Sequence, residues 1–205
     1  MPCEPSALTR ALRHGLGSDS QHGAIVPAWT PSTNFRFPAL DEEPRHAYAR
    51  SSNPNRNMFA EALAILEEGT AAVATSSGMS AALLAVLTLV PMGARVVAAH
   101  DLYGGTWRLL DRFHHEGRLQ VEWTDLTDLD AARDAITPDT ALVWIETPSN
   151  PLLRITDIAG VCELAHTVGA RVLADNTFCS PLLQQPLTLG ADVVMHSTTK
   201  FINGH

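Results

Sequence analysis

From residue 58 onward, short apolar runs alternate with stretches of helical spacing, and that alternation leaves few folds open. Helices are expected over 58–68, 79–90, 106–115, 128–136 and 157–168, and strands over 71–75, 95–99, 119–123, 141–146, 172–174 and 192–196. In 157–168 the residues Ile158, Val161, Cys162, Ala165 and Val168 form one apolar stripe, and Gly169 stops the helix. The helix over 58–68 takes Asn55 or Asn57 as its cap and Gly69 at its C′ position. The run over 79–90 reads as a buried helix ended by Pro91. Strands that are apolar throughout are covered on both faces. The expected class is therefore α/β, a mainly parallel sheet with helices on both faces.

Residues 1–57 behave differently. They hold seven of the 13 prolines and little helical periodicity, and read as an extended N-terminal arm with short turns. Ile25, Val26, Trp29, Phe35 and Phe37 would be costly to leave in water, so the arm is expected to lie on its own subunit or a neighbour. The expected organisation is an arm over 1–57 and a ligand-binding α/β domain over 58–205. The chain ends at His205, after a strand and a polar turn, with no helix to cover that strand. It is therefore expected to be part of a longer protein.

Fourteen basic and 22 acidic residues give a net charge of −8, which argues against nucleic acid as a partner, since that needs a basic face. The longest apolar run, 81–90, is half of the ~20 residues that span a bilayer, and no secretory signal opens the chain. Cys3, Cys162 and Cys179 are odd in number and widely spaced, so neither a disulfide framework nor a zinc site is expected; a reducing cytoplasm fits best. His100, Asp101, His114, His115 and His196 have no convincing ligand spacing, and no metal is expected.

In open α/β sheets, ligands bind beyond the carboxyl ends of the strands. Ser76-Ser77-Gly78-Met79 follows the first expected strand and offers hydroxyls and free N–H groups at a helix N-terminus, a phosphate-binding arrangement that is also an ordinary helix cap. Ser197-Thr198-Thr199-Lys200 follows the last strand. A lysine in such a place, unlike one on an exposed helix face, can condense with a carbonyl. Asp175 ends a buried strand, either as a cap or as the partner of a cation. An anion site, an amine, a carboxylate and the aromatic Tyr103 at one sheet edge fit pyridoxal 5′-phosphate better than other common cofactors. Lys200 would bind its aldehyde, Asp175 pair with the ring nitrogen, and Tyr103 stack on the ring. The 76–79 turn, Ser197 and Thr199 would hold its phosphate.

Six motifs at these positions, Tyr48-Ala49-Arg50-Ser51-Ser52-Asn53-Pro54, Ser77-Gly78-Met79-Ser80-Ala81, Asp101-Leu102-Tyr103-Gly104-Gly105-Thr106, Glu146-Thr147-Pro148-Ser149-Asn150-Pro151, Asp175-Asn176-Thr177-Phe178 and 196–205, resemble the successive signatures of the Cys/Met-metabolism family of pyridoxal-phosphate enzymes. The resemblance runs from about Gln21 to the end. It implies the fold-type-I transferase architecture, attachment at Lys200, ring pairing by Asp175, stacking by Tyr103, and phosphate contacts from Ser77, Gly78, Met79, Ser197 and Thr199. It also implies that Asn150 lies near the substrate carboxylate and Thr177 near the ring. Tyr48 and Arg50 would reach the phosphate of a neighbouring subunit, in a homotetramer built from dimers with shared sites. The substrates would be small amino acids. The reaction would be γ-replacement on an activated homoserine, with γ-elimination and sulfhydrylation as alternatives inside the family. Gly104-Gly105 stands where the methionine-cleaving members place a cysteine. The resemblance further implies a sheet whose first strand, 71–75, and sixth strand, 192–196, flank a seventh lying after His205, so the chain alone is expected to turn over poorly. A cis peptide is expected at Asn150-Pro151.

Two other chemistries fit less well. Ser197-Thr198-Thr199-Lys200 matches the S-x-x-K serine acylase pattern, but that serine opens a helix and this one follows a strand. No G-x-G-x-x-G follows any strand, which removes a nicotinamide dehydrogenase. A non-catalytic fragment is the reading from a different class.

Overall fold

A computed structural model describes residues 5–204, and the chain divides into two compact units, Met1–Ala74 and Thr75–His205.

In Met1–Ala74, the expected extended arm contains a helix, α1 (Ala7–Arg13), capped by Ser6, whose hydroxyl accepts the Thr9 N–H at 3.2 Å. Seven residues are too few for a helix to be stable alone, so periodicity gave no signal. The second helix, α2 (Pro54–Leu66), packs against α1. It starts four residues before the expected position. Asn53, rather than Asn55 or Asn57, is its cap, accepting the N–H groups of Asn55 (2.9 Å) and Arg56 (3.3 Å). Proline in the first turn needs no N–H partner. At the other end Glu68, not Gly69, is the left-handed residue, with φ 57°, while the Gly69 N–H returns to the Ala64 carbonyl at 2.8 Å. Of the arm's apolar residues, Ile25, Val26, Trp29 and Phe37 are exposed.

Thr75–His205 is built on five parallel strands: β1 (Arg95–Ala99), β2 (Gln120–Thr124), β3 (Thr140–Glu146), β4 (Arg171–Asp175) and β5 (Val193–Met195), in the order β2-β1-β3-β4-β5. The helices are α3 (Gly78–Leu89), α4 (Gly104–His115), α5 (Leu129–Ala135) and α6 (Ile158–Thr167), followed by a single turn α7 (Ser180–Leu183) and a 3-10 turn, Pro186–Leu189. α3 packs on α4 and α5 on α6. The three central strands carry the core: Val96, Val97, Ala98, Leu142, Val143, Trp144, Ile145, Val172, Leu173 and Ala174 are all fully buried. Strand order reverses between β1 and β3. The crevice at their carboxyl ends is where a ligand site is expected in such a sheet.

Three expectations are corrected. Residues 71–75 form no strand. An apolar run becomes a strand only when a neighbour completes its ladder, and none does so among the described residues. α3 is not buried all round. Ala82 and Val86 face the core, whereas Leu83, Leu84 and Leu87 are exposed. β5 is half-buried rather than buried, and among the described residues β4 alone pairs with it.

Candidate functional site

The strand ends and the start of α3 enclose a cleft of about 240 Å³. Of the residues assigned to the site from sequence, all line it but Ser76 of the 76–79 turn and Tyr48 and Arg50, which belong to Met1–Ala74.

Ser77, Gly78 and Met79 form one wall of it. The Ser77 hydroxyl accepts the Ser80 N–H at 3.1 Å and so caps α3. The N–H groups of Gly78 and Met79 lie in the first turn, where the helix itself offers no acceptor. Gly78 is required by close approach. A Cβ there would meet Ser197 Cβ at 2.6 Å and Ser197 Cα at 3.2 Å. Gly78→Ala is expected to cost about 1–3 kcal/mol by overpacking, read as a lower urea midpoint, and to weaken pyridoxal phosphate binding. Gly104→Ala, whose Cβ would meet only Arg108 Nη1 at 3.4 Å, is expected to leave both unchanged.

Asp175 and Thr177 form the floor. Asp175 is 6% exposed and accepts both the Thr177 N–H (3.0 Å) and hydroxyl (2.5 Å). The Thr177 oxygen accepts the Ser197 N–H at 2.8 Å, linking the carboxylate to the second hydroxyl wall. Burial pushes the Asp175 carboxyl above the usual carboxylate range, against the opposing pull of the Thr177 hydrogen bonds.

Lys200 lies in the turn after β5, where its N–H donates to the Ser197 carbonyl at 3.3 Å. It is exposed and lies five residues beyond β5, a half-buried strand, not at the strand's end. It is also the only lysine in the chain.

Tyr103 precedes α4 and is 43% exposed. Its ring lies over Gly105, where a Cβ would come within 2.5 Å of Tyr103 Cε1 and 2.8 Å of Met79 Sδ. Asn150 sits in a loop in which Thr147-Pro148 and Asn150-Pro151 are both cis. Ser149 and Arg154 close that loop: the Ser149 N–H donates to the Arg154 carbonyl (3.0 Å), and the Arg154 N–H to the Ser149 hydroxyl (3.2 Å). The Arg154 guanidinium ties it to the end of β2 through Asp125 (2.5 Å) and Thr127 (2.7 Å). Hydrogen bonding by Thr127, with Arg154 beside it, holds the Asp125 carboxyl down at about 2.

Tyr48 and Arg50 meet each other. Tyr48 bridges Asn34 in an antiparallel pair, and the Arg50 guanidinium lies 4.1 Å from the centre of its ring.

Thr106, Glu146, Phe178 and Met195 also line the cleft and were not assigned from sequence. Glu146 left a signal of the kind that marks Asp175: a carboxyl closing a buried strand. The residues present fit pyridoxal phosphate on the donor set, with free helix N–H groups, a glycine cradle, a buried anion and one amine around a single space.

The model of the Cys/Met metabolism PLP-dependent enzyme family matches residues 8–205. A cystathionine gamma-synthase of Escherichia coli is 47% identical over 96% of this chain and 51% of its own length. An L-methionine gamma-lyase of Pseudomonas putida is 39% identical over 98% of this chain and 52% of its own. Among solved structures, the cystathionine gamma synthase of Xanthomonas oryzae in complex with aminoacrylate and cysteine superposes with a TM-score of 0.95 at 46% identity, covering 100% of this chain and 52% of that one. The chain thus spans about half the length of the curated relatives it matches.

Proposed function

The chain belongs to the Cys/Met metabolism PLP-dependent enzyme family, and on that footing we propose that it holds pyridoxal 5′-phosphate in the cleft at the carboxyl ends of β1, β3 and β4, as the cofactor half of a cystathionine γ-synthase. One observation carries the reading: the chain's only lysine, a buried carboxylate, an aromatic ring and a helix N-terminus border one space.

The bound cofactor supplies an electron sink that acidifies the substrate Cα–H. With that group bound, the Gly78 and Met79 N–H groups would hold its phosphate, helped by the hydroxyls of Ser77, Ser197 and Thr199. Asp175, held by Thr177, would pair with the ring nitrogen, Tyr103 would stack on the ring, and Asn150 would orient the substrate carboxylate. The Lys200 amine would hold the cofactor aldehyde and would carry a proton between Cα and Cβ of the substrate. The overall reaction would exchange the γ-leaving group for a cysteine thiol at Cγ, the thiol proton leaving with the displaced group. Tyr48 and Arg50 serve a neighbouring subunit's phosphate, and the exposed Ile25, Val26 and Trp29 supply the surface for that association. Small amino acids are the substrates and the cytoplasm the compartment, in keeping with Cys162 and Cys179 as free thiols.

γ-Elimination is the second reading, supported by 42% identity to a cystathionine gamma-lyase of Dictyostelium discoideum. The test is a product assay with O-succinylhomoserine, with and without cysteine. Replacement is expected to give a thioether product that requires both substrates. Ammonia and a keto acid formed equally fast with and without cysteine would assign elimination instead.

A further inference from the structure

We infer that Glu146 is a positioning residue: from the end of β3 its carboxyl holds the backbone N–H of Tyr103 and so fixes the ring on which the cofactor stacks. The inference rests on the cofactor reading above and adds a residue to it. Tyr103 is the N-cap of α4, and its side chain makes no capping hydrogen bond. Its own N–H lies at the start of the helix, where no intrahelical carbonyl is available, and so needs an acceptor from elsewhere. Glu146 Oε2 supplies one at 2.6 Å, across 43 residues of sequence.

Nothing local does this job. In a capping box, the side chain three residues into the helix reaches back to the N-cap N–H. Thr106 occupies that position, yet among the described residues its buried hydroxyl finds no partner. Tyr103 is 43% exposed, and its ring rests on Gly105, which has no side chain, with Met79 Sδ close to the same point. The backbone anchor sets where the side chain leaves the main chain and so where the ring can lie. Glu146 is 5% exposed, so its own geometry is set by the core.

Three carboxyls meet here. Glu146 pairs in register with Asp175 at the end of β4, and Asp101 follows β1. Burial, with those two neighbours adding to it, pushes Glu146 up to about 8, so at neutral pH it is largely the uncharged acid. Glutamine reproduces that state in shape, charge and acceptor oxygen.

The test is residue-resolved hydrogen exchange on the protein without cofactor, followed by pyridoxal phosphate titration. Glu146→Leu is expected to speed exchange at Tyr103 by about tenfold or more, while Glu146→Gln stays within about twofold of the parent. Glu146→Asp, which keeps the acid but withdraws it by one methylene, is expected to behave like the leucine variant, and decides the matter if the leucine variant does not fold. Cofactor affinity should fall about tenfold in Glu146→Leu and be restored in Glu146→Gln. Glu146→Leu added to Tyr103→Ala should cost nothing further, because one acts through the other. Unchanged exchange at Tyr103 in both the leucine and aspartate variants, failure of glutamine to rescue, or an additive double variant would each overturn the inference. A parent protein that takes up no cofactor would instead remove the proposed function, and the exchange measurement would still decide the role of Glu146.

Discussion

Replacing Lys200 by alanine is expected to abolish covalent attachment of pyridoxal phosphate and leave the urea midpoint unchanged. Lys200 is the only lysine among these 205 residues. The side chain is exposed at the rim of the cleft, and the bonds that shape its turn use its backbone: the Lys200 N–H to Ser197, and the Gly204 N–H to the Lys200 carbonyl at 2.9 Å. Alanine keeps both. The phosphate contacts also survive, so the variant should still bind the cofactor, but reversibly. Turnover should drop by about 100-fold to 10,000-fold or more, the scale set by loss of a positioned proton carrier. Borohydride reduction followed by peptide mass spectrometry reads the attachment directly. A pyridoxyl group on the chain terminus of the parent, or one retained by the alanine variant, would refute the assignment.

Asp175→Asn should separate stability from function. Asparagine keeps an oxygen for the Thr177 N–H and hydroxyl, but not the charge. In the protein without cofactor that charge is a burden. The carboxyl is buried, and its pKa is raised from the ordinary value of 3.8. A carboxyl raised on folding contributes stability that is complete below its unfolded pKa and is lost as pH rises through the folded value. Glu146, raised to about 8, acts in the same direction. The parent should therefore lose stability as pH climbs from about 4 toward 8, and Asp175→Asn should lose less. The variant's advantage grows with pH. With cofactor bound the order reverses, since only a carboxylate can keep the ring nitrogen protonated. Cofactor affinity should weaken, and turnover should fall by about 100-fold or more. Urea unfolding across pH 5 to 8 and a cofactor titration test both halves. A variant less stable than the parent at pH 8, with undiminished cofactor affinity, would take Asp175 out of this role.

Much of the sheet was legible because its information is local. The strands over 95–99 and 141–146 are apolar runs bounded by turn residues, and they emerge as β1 and β3 within a residue. Asp128 and Asp157 cap α5 and α6 by accepting N–H groups two or three residues ahead. The misreadings fall where a neighbour decides. α1 depends on α2, and residues 71–75 have an apolar pattern but no ladder. The α3 run Ala81 to Val90 is apolar all round, so the sequence carries no sign of which face is covered.

The candidate site divides in the same way. Ser77, Tyr103, Asp175 and Lys200 could be singled out as candidates because each breaks the composition of the strand or turn that carries it, whereas Asn150 came only from the family resemblance. The residues also set the class of sheet, since continuous apolar strands separated by amphipathic helices can bury their surface in no simpler arrangement. Folding alone brought Ser197 against Gly78, laid the Tyr103 ring on Gly105 and gave the Tyr103 N–H to Glu146. The first and last of these join residues far apart in the chain, and the last is made by a backbone group that every residue but proline possesses. No pattern of side chains can announce such a bond; it exists only once strand order has brought β3 beside the start of α4.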